Sequence, residues 1–347
     1  MRNELKNGNR EMVNRKARHK ALLMLVVVLI IGLVAIPLGG CNADRPEKIT
    51  VMLDWTPNTN HTGLYVALKN GYYADQGLKV EIIQSSEGST PQLIASNKAE
   101  FGISYQEEVT YARSQSIPVV SIAAIIQHNT SGYASPLALD ITSSKDFEGR
   151  NYGGWGAPME TAVMQSVMKS EGTDFSKVNF INAGAADFFT ATDSGKIDFQ
   201  WIFYGWAGIE AELRGYPINF IELRELAPEL DYYTPVIITN EKTIANKPEL
   251  VSKFMEATAK GYTYAIANPT EAAEILTSSV SGLDRELVLK SQLWLSDKYQ
   301  DDAPVWGIQK HEVWENYTDW MHEYELIDKL FPVNEAYTNE FLPGAGD

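Results

Sequence analysis

Strand-like and helix-like runs alternate through this chain in two separate series, and that alternation limits its fold more than any other feature. The first series opens with Lys48-Ile-Thr-Val-Met-Leu53, an alternating, β-branched run that leads into a polar loop over 54–60. A helix is expected over 61–69, ending at the C-cap signal Asn70-Gly71. Strands over 78–83, 100–104 and 119–125 then alternate with helices over 90–97 and 107–114. The second series has strands near 151–154, 178–181 and 197–202, with helices over 158–170 and 186–194. Two extended segments, 135–141 and 234–240, bracket this second series and are suited to carry the chain across and back. From 247 onward the pattern is mostly helical, over 248–267, 269–278, 285–294 and 308–323. Strands separated by helices imply parallel sheets covered on both faces, so the expected fold class is α/β with two lobes. Ligands of such sheets lie beyond the carboxyl ends of the strands, and the loops there are the places to look.

The N-terminus carries a different signal. Seven Lys and Arg against two Glu in the first twenty residues are followed by an uncharged run over 21–40, the pattern of a targeting segment. The run is long enough to span a bilayer, which leaves an uncleaved anchor as the alternative. Its end, Leu38-Gly39-Gly40-Cys41, resembles the lipobox of bacterial lipoproteins. Residues 1–40 are therefore expected to be a signal peptide, Cys41 the lipidated first residue of the mature chain, and 41–47 a short polar tether. Cys41 is the only cysteine, so no internal disulfide can form. The expected location is the cell membrane, lipid-anchored on its extracytoplasmic face.

Removal of the first forty residues leaves 22 Lys plus Arg against 43 Asp plus Glu, a net charge of −21. Nucleic acid and anionic headgroups bind clustered cations, so nucleic-acid binding is excluded on charge. About 300 residues remain, with eight Trp, seventeen Tyr and twelve Phe, enough for two full cores.

Four strand-end stretches carry the candidate chemistry: Asp54-Trp-Thr-Pro-Asn-Thr-Asn-His61, Gly102-Ile-Ser-Tyr-Gln-Glu-Glu108, Gly153-Gly-Trp-Gly-Ala-Pro-Met-Glu160 and Gln200-Trp-Ile-Phe-Tyr-Gly-Trp-Ala-Gly-Ile-Glu210. None contains Lys or Arg. Sulfonate, nitrate, phosphate or carboxylate usually needs at least one cation, whereas Trp, Tyr, Asn and carboxylates suit a flat, polar, neutral or weakly basic ring.

Each candidate also has a packing role to weigh. Trp55 follows a strand inside a polar loop, which favours ligand contact. Trp155 and Trp206 could equally fill the groove between two domains, and Trp201, alternating within a strand, reads as core. Asp54 is either a helix N-cap or a pocket acceptor. Glu107 and Glu108 open a helix, where carboxylates favour the dipole with no ligand at all. His61 is expected to order the 54–60 loop. The five histidines, His19, His61, His128, His311 and His322, show no metal-ligand spacing, so no metal is expected. Nucleophile-elbow and phosphate-loop motifs are missing. No catalytic residue and no cofactor is assigned.

The first of these stretches, continued by Gly63-Leu-Tyr-Val-Ala67 and Gly71-Tyr-Tyr73, resembles the opening of bacterial substrate-binding lipoproteins of thiamine-precursor transporters, notably the formylaminopyrimidine binders. Gly195-Lys-Ile-Asp198 and Tyr337-Thr-Asn-Glu-Phe-Leu342 are similar to the same family, and the resemblance covers the whole mature chain. Most of it is shared with binding proteins for sulfonates and nitrate; the first motif belongs to the pyrimidine branch.

The resemblance implies a type II periplasmic binding protein, with lobe 1 over 48–139 and 234–347, lobe 2 over 140–233, and a small-molecule pyrimidine ligand trapped between them. It implies delivery to an ABC transporter permease, and a monomer. On this reading Trp55 and an aromatic of the Tyr204–Trp206 segment are expected to stack on the ring, Asp54, Asn58 and Glu108 to meet its hydrogen-bonding edge, and Gln106, Gly154 and Glu160 to serve as second-lobe or rim contacts, with Tyr105 and Trp155 as further candidate contacts. Eukaryotic synthases that build the pyrimidine share this superfamily. Their lysine and donated histidine would align with Ser104 and Glu108, and their cysteine-rich motif is missing. A binder is expected rather than an enzyme.

Overall fold

The computed structural model describes residues 46–84, 89–183 and 187–346. The expected signal peptide and Cys41 lie outside them, and of the expected tether only Pro46 and Glu47 are described. Ten strands form two five-stranded sheets.

The first sheet contains β1 (Glu47–Leu53), β2 (Leu78–Gln84), β3 (Phe101–Ser104) and β4 (Val119–Ala124), and the second contains β5 (Ser131–Pro136), β6 (Asn151–Gly154), β7 (Asn179–Asn182), β8 (Phe199–Phe203) and β9 (Ile218–Glu222). The last strand, β10 (Val236–Asn240), returns to the first sheet. Strand order is β2-β1-β3-β10-β4 in one and β7-β6-β8-β5-β9 in the other. The βαβ alternation yields parallel pairs, β1 with β2 and β3, and β6 with β7 and β8. Each sheet also holds one antiparallel strand: β10 lies between β3 and β4, and β5 between β8 and β9.

These two strands are where the chain crosses. The chain leaves β4, passes through residues 125–130 and enters the second sheet directly as β5. It returns after β9 and enters the first sheet as β10. The lobe boundary expected at 139/140 is therefore corrected: Ser131–Pro136 pairs with β8 and β9, so the second lobe begins before it. Strand β9 was not anticipated, because its run of Asn and Glu between apolar residues is short and only its pairing with β5 marks it.

Both lobes have aromatic cores. Phe101 stacks on Phe254 at 3.8 Å in the first, and Phe147 on Phe199 at 4.4 Å in the second. The helix His311–Glu323 serves both. Trp314 packs with Met52, Val236 and Ile238 of the first lobe, while Tyr317, Trp320 and Met321 join the second lobe's core with Tyr152 and Phe199. Assigning all of 234–347 to one lobe is thus too simple, since a helix that contributes to both cores at successive turns ties the two together.

Candidate functional site

Register brings the first-lobe candidates together. Met52 pairs with Gly102, which sets the loop after β1 beside the loop after β3. Asp54 then accepts the Tyr105 hydroxyl on Oδ2 at 2.5 Å and meets His61 Nε2 through Oδ1 at 2.7 Å. His61 Nδ1 accepts the Asn58 amide at 3.1 Å, so the proton sits on Nε2 and is donated to Asp54. Burial raises the Asp54 carboxyl, but the His61 interaction and the hydrogen bonds from His61 and Tyr105 outweigh it and hold the group below the usual carboxylate range. Burial and the Asp54 charge push the Tyr105 hydroxyl well up, keeping it a donor.

This resolves two alternatives. The cap of the short Thr59–His61 turn is Asn58, whose side chain accepts from the Asn60 amide at 2.8 Å and donates to Thr56 O at 3.1 Å. Asp54 is not a cap. Asn58, expected in the ligand's hydrogen-bonding edge, is buried and occupied within its own loop. His61 orders that loop, as its position suggested.

On the next helix, Gln106–Ser114, Glu108 accepts the Ser104 hydroxyl at 2.6 Å. Burial, together with the Asp54 charge, raises its carboxyl despite that bond. Glu107, read from sequence as a dipole partner, stands beside Tyr232, and burial plus the Glu108 charge push it up to about 7. Gln106 is fully buried and donates to Val313 O at 3.1 Å while accepting the Tyr233 amide at 2.8 Å. It pins the returning segment to the C-terminal helix and does not reach a ligand.

In the second lobe, β6 ends at Gly154, where a Cβ would lie 3.0 Å from Glu160 Oε1. Glu160 is 1% exposed and folds back onto its own loop: Tyr152 OH and Trp155 N donate to Oε1, and Trp155, Gly156 and Ala157 amides donate to Oε2, all within 3.1 Å. The rim contact expected of Glu160 is corrected to a loop anchor, because its lone pairs are already taken. Gly156 at φ +90° supplies the turn that lets three successive amides converge.

The aromatic candidates separate by exposure. Trp55 is 54% and Trp155 46% exposed, and Trp155 rests on Trp201 at 5.6 Å. Trp201 is core. Tyr204 and Trp206 sit in a π-helical turn, Tyr204–Gly208, that packs on the helix Arg285–Leu295 of the first lobe. Gly205 allows that approach, since a Cβ there would be 3.1 Å from Leu295 and Trp294. Tyr204 packs against Phe220 and Trp294, its hydroxyl donating to Glu212 at 2.7 Å, and Trp206 packs against the first lobe's core. The stacking role expected of these two is taken by interlobe packing.

A cavity of about 510 Å³ lies between the helix Gln106–Ser114, the loop at Ala157–Met159 and the segment at Met321–Leu326. Both lobes line it, and it takes in Glu107 and Glu108. No single sequence stretch signals it, because its walls come from four separated segments.

One further cluster is visible only in three dimensions. His128, Asp301 and Asp302 bring metal-capable atoms within 4.8 Å of one another. Asp231 already engages His128 Nδ1 at 2.6 Å, and Lys310 lies 3.7 Å from Asp302. Among the described residues no helix is long and apolar enough to cross a membrane.

Two α/β lobes joined by crossing strands, with a cavity between them, define the periplasmic binding protein fold. The chain belongs to the NMT1/THI5-like family, which it matches over residues 58–272. It is similar to the formylaminopyrimidine-binding protein of Halalkalibacterium halodurans, 29% identical over 302 residues that cover 84% of this chain and 90% of that protein. It is also similar to a 4-amino-5-hydroxymethyl-2-methylpyrimidine phosphate synthase of Legionella pneumophila, 23% identical over 311 residues, covering 86% and 93%. Among solved structures, the periplasmic aliphatic sulphonate binding protein SsuA of Escherichia coli matches with a TM-score of 0.65 at 13% identity, over 84% of this chain and 97% of that one. That likeness concerns the fold alone.

Proposed function

We propose that this chain is an extracytoplasmic lipoprotein that captures a thiamine pyrimidine precursor, formylaminopyrimidine or hydroxymethylpyrimidine, and delivers it to an ABC importer without chemically altering it. The observation that carries this reading is the interlobe cavity's cation-free lining, with Glu107, Glu108 and Glu325, beside the half-exposed indoles Trp55 and Trp155 at the strand ends. Asp54, ionised and held by His61 and Tyr105, fixes the loop that carries Trp55, and Trp55 and Trp155 offer exposed faces from opposite lobes. A sulfonate would meet carboxylates there and no Lys or Arg. The similarity to a formylaminopyrimidine-binding protein supports the same ligand class. Closure of the lobes around the ring would then present a new surface to the permease.

A synthase reading draws support from relatives of that name, but forming an imine with a carbonyl cofactor needs an amine, and the aligned positions hold Ser104 and Glu108, hydrogen-bonded to each other. Attachment through Cys41 would keep the binder near its permease and raise its local concentration.

Calorimetry of the full chain in detergent with formylaminopyrimidine, hydroxymethylpyrimidine, thiamine and taurine tests the ligand. Tight taurine binding with no pyrimidine response would overturn the proposal. Radiolabelled palmitate incorporated by the parent and lost in Cys41→Ala tests the anchor.

A further inference from the structure

The interlobe cavity is chemically lopsided. Three carboxylates line it, Glu107, Glu108 and Glu325, and none of its lining residues is Lys, Arg or His. The remaining wall is largely apolar, with Pro91, Ala112, Ile117, Met159 and Met321, and Tyr111 adds a phenol ring that is 52% exposed.

Adjacent carboxylates of this kind are costly unless a counter-charge arrives. Glu108 has the Ser104 hydroxyl and Glu107 the Tyr232 hydroxyl, both neutral donors. His61, the imidazole of the loop after β1, is committed to Asp54. Glu107 faces Glu108 on its own helix, Tyr232 on the returning segment and Tyr317 on the C-terminal helix, with none of them positive. Burial and Glu108 together raise Glu107 to about 7, so near neutral pH a proton already competes for the place a cation would take.

We propose that this cavity receives a positively charged arm of the ligand, a protonated aliphatic amine, with Glu107 and Glu108 as its acceptors and the apolar wall and Tyr111 ring covering its methylene. The inference rests on the pyrimidine reading for the ring and adds the charge of its substituent. It departs from the two ligands named above in one respect: among thiamine pyrimidine precursors it favours the free aminomethyl compound, because the substituents of the N-formyl and hydroxymethyl forms carry no charge. A charge-assisted hydrogen bond with a partly desolvated carboxylate corresponds to about tenfold or more in affinity. An ammonium against the Tyr111 face adds to this.

The test is calorimetric titration of the full chain in detergent with 4-amino-5-aminomethyl-2-methylpyrimidine and its N-formyl derivative at pH 8 and pH 6. The ring pKa of each ligand is titrated separately so that ring protonation is taken out of the ratio. The amine is expected to bind at least about tenfold more tightly at pH 8, where Glu107 is ionised. That advantage should shrink at pH 6 as Glu107 takes up a proton. Glu107→Gln, shown to be folded by circular dichroism, is expected to reduce the advantage at pH 8 to within about threefold. Equal or weaker amine binding at pH 8, or a full advantage kept by Glu107→Gln, overturns the proposal. Benzylamine and benzyl alcohol separate it from the pyrimidine reading. If neither pyrimidine binds but benzylamine is preferred and Glu107→Gln removes the preference, the cation site stands and the pyrimidine does not. If benzylamine is not preferred either, both fall.

Discussion

His61 holds Asp54 in place while being held itself: its Nε2 meets Asp54 Oδ1 at 2.7 Å and its Nδ1 accepts the Asn58 amide at 3.1 Å. Both side chains are nearly inaccessible to solvent, at 0% and 5%. His61→Ala would strand a buried carboxylate and should cost about 3 kcal/mol in urea unfolding at pH 7. Because the Asp54 pKa is depressed, its stabilisation is complete above the unfolded value of 3.8 and is lost as pH falls through the lower folded value. The stability gap between the parent and Asp54→Asn should therefore narrow only in strong acid, below about pH 4.

Trp55 and Trp155 are the most exposed indoles among the described residues, each in a loop that follows a strand. Replacing either with Ala should weaken pyrimidine binding by about three- to tenfold, the worth of one aromatic contact. Their exposure makes the unfolding midpoint nearly insensitive to the change. Unaltered calorimetric affinity in both variants would move the stacking partner elsewhere.

Glu160 gathers the Trp155, Gly156 and Ala157 amides on one oxygen. Glu160→Gln keeps the size but replaces a charged acceptor by a neutral one that also presents N–H donors. A loss of about 1.5–3 kcal/mol is expected, and hydrogen exchange at those three amides should speed up accordingly. Exchange confined to its parental rate would remove Glu160 from this anchoring role.

His128 joins the two crossing segments through Asp231 and reaches Asp302 at 3.2 Å on its other side. The hydrogen bond that His128 donates to Asp231, opposed in part by burial, and the contacts with Asp302 raise its pKa above the ordinary 6.5. For a raised imidazole the stabilisation is fully present below the unfolded value and disappears as pH rises through the folded one. NMR titration should follow His128 above 6.5 in the parent and lower in Asp231→Asn. An unchanged midpoint would mean that Asp302 and the local backbone set the charge.

Several features were legible in the residues because they depend on near neighbours. The alternation of Lys48–Leu53 and the helical runs after it declared α/β lobes, since periodicities of two and 3.6 are set within a few residues. The lack of Lys and Arg in the four strand-end stretches was equally plain. The proximity of His61 to the 54–60 loop made its ordering role readable, three residues being enough for its ring to reach the Asn58 amide.

Tertiary structure alone decided how these pieces are used. It put β5 and β10 antiparallel into the opposite lobes' sheets, because strand partners are chosen by contacts remote in sequence. It also took candidates into packing: Gln106 is satisfied by Tyr233 and Val313, over a hundred residues away, and the Tyr204 ring packs on Trp294 of a first-lobe helix. Glu107 looked like an ordinary first-turn acid, yet a neighbouring carboxylate, the Tyr232 hydroxyl and an interlobe cavity give it a different charge balance. Local pattern specifies what an element is. Burial and unmet charge are sums over everything that packs against a side chain, and the folded chain supplies those sums.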